Sequence, residues 1–92
     1  MKLANNVADS ADVADSAVLG EGTKVWHLAQ VREDAVIGSG GIIGRGAYIG
    51  TGVEMGENCK VQNYALVYEP AKLGDGVFIG PGVILTNDIL VE

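Results

Sequence analysis

Residues 35–50 read AVIGSGGIIGRGAYIG, and this stretch decides the fold. An aliphatic residue followed by glycine occurs in it three times, at Ile37, Ile43 and Ile49, with a spacing of six. Neither an α-helix, with 3.6 residues per turn, nor the two-residue alternation of a half-buried strand produces that spacing. The stretch therefore indicates a repeat with a geometry of its own.

The six-residue period extends along the chain. Counting in sixes from Ile37 meets an aliphatic residue or methionine at every position between residues 7 and 91. A second, mostly small column, which includes Ala29 and Cys59, lies two residues earlier, and both columns face inward because residues two apart in extended backbone share a side. Glycine-rich triplets such as 38–40 form the corners. This pattern predicts a parallel β-helix, or hexapeptide solenoid, of four to five triangular coils with eighteen residues each.

Composition limits the classes of partner. The net charge of −6 disfavours nucleic acid and anionic membranes, which need basic patches. The single cysteine, Cys59, excludes a disulfide framework, and its column predicts that it is a core spacer. The N-terminal residues lack the apolar segment of a signal peptide, and no run is apolar enough to span a membrane. We therefore expect one domain over residues 1–92, located in the cytoplasm, with no nucleic-acid or membrane partner.

Stacking by eighteen residues predicts three columns of corners. The first corner column comprises residues 8–10, 26–28, 44–46, 62–64 and 80–82. The second corner column comprises residues 14–16, 32–34, 50–52, 68–70 and 86–88, and the third comprises 20–22, 38–40, 56–58 and 74–76. The first two carry aromatic, imidazole, amide and guanidinium groups, so we expect a site there. Asparagine and aspartate are also ordinary corner residues, which leaves a structural role open for each of them.

Apolar residues also recur at outward positions. Contiguous apolar stripes on a small chain predict burial between subunits, and a triangular prism suits three-fold assembly. We predict a homotrimer that forms through Tyr48, Leu66 and Ile84. Shorter stripes on the other two faces combine Ile42 with Phe78 and Val18 with Val36.

Two other activities of solenoids conflict with the composition. The three-histidine zinc site of γ-class carbonic anhydrases cannot form within one chain type, because His27 is the only histidine, and we expect no metal. The flat Thr-x-Thr array of ice-binding solenoids is missing as well, since the three threonines are scattered along the chain.

Three segments carry a resemblance to a known family. Residues 20–38 (GEGTKVWHLAQVREDAVIG), 61–70 (VQNYALVYEP) and 75–88 (DGVFIGPGVILTND) resemble sugar-nucleotide N-acetyltransferases of the left-handed β-helix superfamily. Among these, the chain is most similar to enzymes that acetylate the 3-amino group of UDP-linked 2-acetamido-3-amino-2,3-dideoxyglucuronate. The shared features are a Trp-His corner, a Gln-Asn corner followed by Val-Tyr, and a Gly-Pro corner followed by Thr-Asn.

The resemblance implies a left-handed helix, although the general crossover rule favours the right hand. It also implies acetyl-CoA as co-substrate, with no residue assigned to it, and a nucleotide-linked amino sugar as acceptor. It covers only the N-terminal half of such an enzyme, so we expect a truncated or engineered piece. An uncapped last coil would then stack end to end with another copy.

Candidate site residues follow from the resemblance and from the corner columns. The resemblance implies that Asn87 contacts the reacting amine. His27 is the only imidazole available as a base, and its alternative role is to stack beneath Arg45. Arg45 is the best cation for a phosphate. The remaining candidates are Gln62, Asn63 and Tyr64 for sugar or pyrophosphate, and Tyr68 and Glu69, which share a column with Asn87.

Two alternatives stay open. The chain could be a non-catalytic scaffold or self-assembling unit, or it could serve an acyl acceptor that is not a sugar. Binding of acetyl-CoA separates the scaffold from both enzymes.

Overall fold

The computed structural model describes residues 5–85 and confirms the β-helix. This part of the chain contains fourteen two-residue strands separated by four-residue connections. The strands are β1 (Asn6–Val7), β2 (Asp12–Val13), β3 (Val18–Leu19), β4 (Lys24–Val25), β5 (Gln30–Val31), β6 (Val36–Ile37), β7 (Ile42–Ile43), β8 (Tyr48–Ile49), β9 (Glu54–Met55), β10 (Lys60–Val61), β11 (Leu66–Val67), β12 (Lys72–Leu73), β13 (Phe78–Ile79) and β14 (Ile84–Leu85).

Every third strand joins the same parallel sheet. Sheet A has the order β1-β4-β7-β10-β13, sheet B has β14-β11-β8-β5-β2, and sheet C has β12-β9-β6-β3. Partner residues differ by eighteen in number, as in Lys24↔Ile42 and Lys60↔Ile42. The coil length predicted from the sequence is therefore confirmed. Sheet B lies between the first and second corner columns, since the first column leads into it and the second leads out of it.

The two inward columns form the core. Ile37, Ile43 and Ile49 of the large column are buried, and so are most residues of the small column, including Cys59. The Cys59 thiol donates a hydrogen bond to the Gly74 carbonyl over 3.0 Å, as befits a core spacer. Val83, which the small column predicts to be inward, is instead 39% exposed, because no described coil stacks on it.

Glycine has two different roles at the corners. The third corner residue takes a positive φ at most of the described corners, for example +73° at Gly40, which glycine adopts without steric cost. Four non-glycine residues adopt the same conformation: Leu28, Asp34, Asn58 and Tyr64. The first corner residue is small for another reason: a Cβ on Gly38 would lie 2.5 Å from the Gly56 carbonyl of the next coil. At this corner, neighbouring coils are therefore in direct backbone-to-backbone contact, with no side chain between them.

The outward stripe on sheet B has the predicted register, Tyr48↔Leu66↔Ile84. Tyr48 and Leu66 are half-buried within the chain, whereas Ile84 is 55% exposed. The Tyr48 ring contacts the Tyr68 ring, with 5.3 Å between centroids. Burial of this stripe between subunits stays a prediction.

Among residues 5–85, no helix is long and apolar enough to cross a membrane.

Candidate functional site

The first corner column brings five of the predicted site residues together. His27, Arg45 and the triplet 62–64 occupy three successive coils, because each is displaced from the next by about eighteen residues. All of them except Tyr64 border a groove of about 330 Å³ whose floor includes Ile42 and Gly44. The residues that line it are Trp26, His27, Ile42, Gly44, Arg45, Gln62 and Asn63.

Tyr64 holds the Arg45 guanidinium. The Tyr64 backbone N–H donates to the Arg45 carbonyl over 2.8 Å, which stacks one corner on the other. The positive φ of Tyr64, 61°, accompanies a side chain that returns over Arg45, and its hydroxyl accepts a hydrogen bond from Arg45 Nε over 3.0 Å. This bond leaves both Nη groups of Arg45 for a ligand, and a guanidinium suits the geometry of a phosphate.

Asn63 has a structural role in its corner. Its Oδ1 accepts a hydrogen bond from the Arg45 backbone N–H over 3.0 Å. Asp75 makes the same contact with the Glu57 backbone N–H in the third corner column, where no site is expected. The oxygen of Asn63 therefore belongs to the corner architecture, and only its Nδ2 group is left to donate to a ligand.

Ser10 supports His27 from the coil below. Ser10 Oγ lies 3.3 Å from His27 Nδ1 and also accepts a hydrogen bond from the Leu28 backbone N–H over 2.9 Å. Within residues 5–85, Nε2 of His27 has no hydrogen-bond partner. The ring is thus held through Nδ1, and Nε2 is available to a ligand.

The other candidates lie elsewhere. Tyr68 and Glu69 belong to the second corner column, across sheet B from the groove, so the structure does not bring them to His27 and Arg45. Asn87 lies outside the described residues.

The second corner column holds an ion-pair network instead. Arg32 lies 3.2 Å from Asp12 and donates two hydrogen bonds to the Glu33 carboxylate, at 3.0 and 3.3 Å. These bonds raise the pKa of Arg32 and lower the pKa of Glu33. Arg32 is therefore held between two carboxylates; its Nη1 is buried beside Asp12 without a hydrogen bond in the described residues, and the side chain is not available to an anionic ligand.

Four lining or supporting residues were not among the candidate site residues: Ile42 of the groove floor is one of them. Trp26, which is 50% exposed, and Gly44 line the groove, and Ser10 contacts His27. Ser10 and Leu28 are eighteen residues apart and therefore stack in the first corner column. The eighteen-residue repeat alone could thus have placed Ser10 beside the Trp-His corner. No cluster of three metal-ligating side chains occurs in the described part of the chain.

The period, the coils and the groove agree with a known sequence family. The family described as bacterial transferase hexapeptide (six repeats) matches residues 16–51 and 52–87. The chain belongs to this family. Membership supplies the left hand of the β-helix, which the period alone does not determine. No curated protein sequence is significantly similar to the chain.

Solved structures with the same fold include sugar N-acetyltransferases. PerB from Caulobacter crescentus, in complex with CoA and GDP-perosamine, is 24% identical with a TM-score of 0.64, over 95% of this chain and 51% of that one. A mutant of the GDP-perosamine N-acetyltransferase of the same organism is 25% identical with a TM-score of 0.62, over 95% and 50%. The acetyltransferase domain of PglB from Neisseria gonorrhoeae is 20% identical with a TM-score of 0.73, over 97% and 52%. The chain spans about half the length of these structures.

Proposed function

We propose that the chain forms the N-terminal coils of an acetyl-CoA-dependent N-acetyltransferase that acts on the amino group of a nucleotide-linked amino sugar. The observation that carries this proposal is the first corner column, where His27, Arg45 and Asn63 border one groove in a transferase-family chain. The Caulobacter crescentus enzyme binds CoA and GDP-perosamine, which supports the same two classes of substrate here. A UDP-linked 3-amino sugar is the acceptor that the sequence resemblance favours.

The proposed reaction transfers the acetyl group directly. The amine nitrogen forms a bond to the thioester carbonyl carbon, the carbon–sulfur bond breaks, and one amine proton passes to the CoA sulfur. His27 takes up that proton at Nε2, which requires its Nδ1 to carry hydrogen and to donate to Ser10 Oγ. The Ser10 oxygen can accept this bond together with the one from Leu28, because a hydroxyl has two acceptor sites.

The other candidates bind and orient the substrates. Arg45, held by Tyr64, contacts a phosphate, while Gln62 and Asn63 donate to the sugar or pyrophosphate. Asn87 positions the amine through its amide, without adding charge at the reacting atom.

Assembly as a homotrimer would bring the candidate residues of the first corner column together with those of the second corner column. Tyr68 and Glu69 belong to the second corner column, to which the eighteen-residue repeat of the sequence also assigns Asn87, and the apolar stripe of sheet B lies between that column and the groove. A closed three-fold ring brings two different surfaces of neighbouring copies together, so the groove of one copy would meet the second corner column of the next. The proposal places this reaction in the cytoplasm, where acetyl-CoA and nucleotide sugars are made.

Release of CoA tests the activity. The chain is mixed with acetyl-CoA and a UDP- or GDP-linked amino sugar, and free thiol is measured with a colorimetric reagent. The buried Cys59 should add little background. The matched control is the same nucleotide sugar with a hydroxyl in place of the amine. We expect thiol release with the amine alone, and a loss of about 100-fold in His27→Gln, as for removal of an acid–base group. Absence of release from every amino sugar would contradict the proposal.

A second candidate function is a non-catalytic scaffold or self-assembling unit, which is favoured by the exposed outward side chains of Phe78 and Ile84, because such apolar groups promote contact between copies. Titration with acetyl-CoA, together with the solution mass from light scattering, separates the two. A trimer that binds acetyl-CoA supports the enzyme, whereas trimers or longer end-to-end stacks without binding support the scaffold. Binding without transfer to any amino sugar would indicate a different acyl acceptor.

A further inference from the structure

Sheet A has an uneven distribution of charge. Its outward positions, in coil order, are Asn6, Lys24, Ile42, Lys60 and Phe78, with no acidic residue among them. Lys24 and Lys60 pair in register with Ile42 from opposite sides. Since neighbouring parallel strands lie about 4.8 Å apart, the two lysine backbones are about 10 Å apart, with Ile42, a floor residue of the groove, between them.

Within residues 5–85, these two lysines and Arg45 have no acidic partner. The salt bridges found within residues 5–85 all belong to Arg32. No described carboxylate therefore lies within 4.0 Å of Lys24, Lys60 or Arg45. In a chain with a net charge of −6, Arg45 in the groove and the two lysines that flank the lining residue Ile42 are the strongest attraction for an anion that the described residues offer.

Most of the acidic residues near sheet A lie on the side remote from the groove. The third corner column carries Glu21, Glu57 and Asp75 along the edge of sheet A that is remote from the groove. Asp9 is the one described acid of the first corner column, and it lies two coils from Arg45. The resulting field would draw an anion across sheet A toward Arg45 and away from the acidic edge.

Trp26 adds an aromatic surface next to these cations. It is half-exposed, lines the groove beside Arg45, and also borders a second cavity of about 470 Å³ that includes Lys24. An exposed indole beside lysine and arginine side chains matches a ligand in which a flat ring is joined to a chain of phosphates.

We propose that Trp26, Lys24, Lys60 and Arg45 together bind the nucleoside diphosphate part of a substrate, with the base against Trp26 and the phosphates between the lysines and Arg45. This inference rests on the proposed function, whose two substrates both contain such a group. The ligand would be either the uridine or guanosine diphosphate of the acceptor or the adenosine diphosphate of CoA. The shared chemistry is the base and the two phosphates.

Fluorescence of Trp26 gives a direct measurement, because it is the only tryptophan in the chain. The probes are UDP, GDP and ADP, with inorganic pyrophosphate as the ligand that lacks a base. We expect saturable quenching by at least one nucleotide and none by pyrophosphate. A lower Kd for UDP or GDP assigns the site to the acceptor, and a lower Kd for ADP assigns it to acetyl-CoA.

Lysine variants test the cationic half of the site. Lys24→Gln and Lys60→Gln should each raise the Kd by about threefold to fivefold, in keeping with exposed charge pairs. Lys72→Gln is the matched control, because Lys72 is an exposed lysine on sheet C, in register with Glu54. Its Kd should equal that of the wild type.

Two results would overturn the proposal: no quenching by any of the nucleotides at millimolar concentration, or equal Kd values for all three lysine variants. Neither measurement requires acetyl transfer, so the two proposals fail separately. Quenching without CoA release would leave this site standing and remove the proposed activity. CoA release that is unchanged in Lys24→Gln and Lys60→Gln would leave the proposed activity standing and remove this site.

Discussion

Gly38→Ala should be among the most destabilising single-methyl additions in this chain. Gly38 is the first residue of a corner in the third corner column, and its φ lies outside the left-handed region. A Cβ there would lie 2.5 Å from both the carbonyl carbon and the oxygen of Gly56, and 2.8 Å from the Glu57 nitrogen. All three are backbone atoms, so no rotamer change relieves the overlap. The neighbouring coil must move by about 1 Å to restore ordinary contact distances.

The loss in free energy of unfolding follows from the backbone hydrogen bonds that such a movement would weaken. Gly38 donates to the Met55 carbonyl and Asn58 donates to the Ser39 carbonyl, each over 2.8 Å, between the same two coils. Each backbone hydrogen bond contributes about 1 kcal/mol net, and overpacking adds about 1–3 kcal/mol, so the substitution should cost about 3–5 kcal/mol. That is a large share of the roughly 5–15 kcal/mol that stabilises a typical domain.

Gly52→Ala is the matched control. Gly52 has a φ of +70°, but a Cβ there would meet nothing within 4 Å. It should therefore cost only the left-handed backbone penalty of about 1 kcal/mol. Urea unfolding followed by circular dichroism measures both free energies. A loss in Gly38→Ala no larger than that in Gly52→Ala would refute the conclusion that backbone contact sets the coil spacing.

Two further predictions concern polar corners. Asn63→Asp keeps the oxygen that accepts from the Arg45 backbone N–H, whereas Asn63→Ala removes it. The alanine variant should lose about 1 kcal/mol in urea unfolding and the aspartate variant less, and equal losses would contradict the structural role. The hydrogen bonds from Arg32 lower the pKa of Glu33 below its usual value of 4.5, so their stabilisation is present above pH 4.5 and is lost as the pH falls through the folded-state pKa. The stability difference between wild type and Glu33→Gln should therefore be constant from pH 7 to about pH 5 and shrink below that. The same profile in the control Glu21→Gln would contradict the assignment to Glu33.

The fold could be predicted from the sequence because one physical requirement recurs at every coil. A thin triangular core needs a large and a small inward residue on each side, and both columns are visible as a period of six. The alignment of His27, Arg45 and Asn63 could also be predicted, because these residues are eighteen positions apart in the sequence. The exposure of Val83 was not foreseen, since the period does not say which coils lie between two others.

The chemistry of the site was less predictable, because it depends on side-chain directions that no period encodes. The contact between Tyr64 and Arg45 arises with a left-handed backbone at a non-glycine corner, whereas the sequence suggested Tyr64 only as a residue that binds sugar or pyrophosphate. The structural use of the Asn63 oxygen was equally hidden. The cations of sheet A were overlooked because the net charge of the chain is negative, and net charge says nothing about where the few lysines gather.

Because every coil has eighteen residues without interruption, the number of a residue determines its angular position around the axis of the β-helix. Removal of residues 51–56, one six-residue unit, would keep both inward columns aliphatic and small, so the core could still close. Every later residue would, however, be wound back by one third of a turn. Gln62, Asn63 and Tyr64 would move to the third corner column, and Tyr68 and Glu69 would take their places beside Arg45. Length changes in this molecule can therefore preserve the fold and exchange the groups at the groove in a single step, and only changes by whole coils would leave the columns as they are.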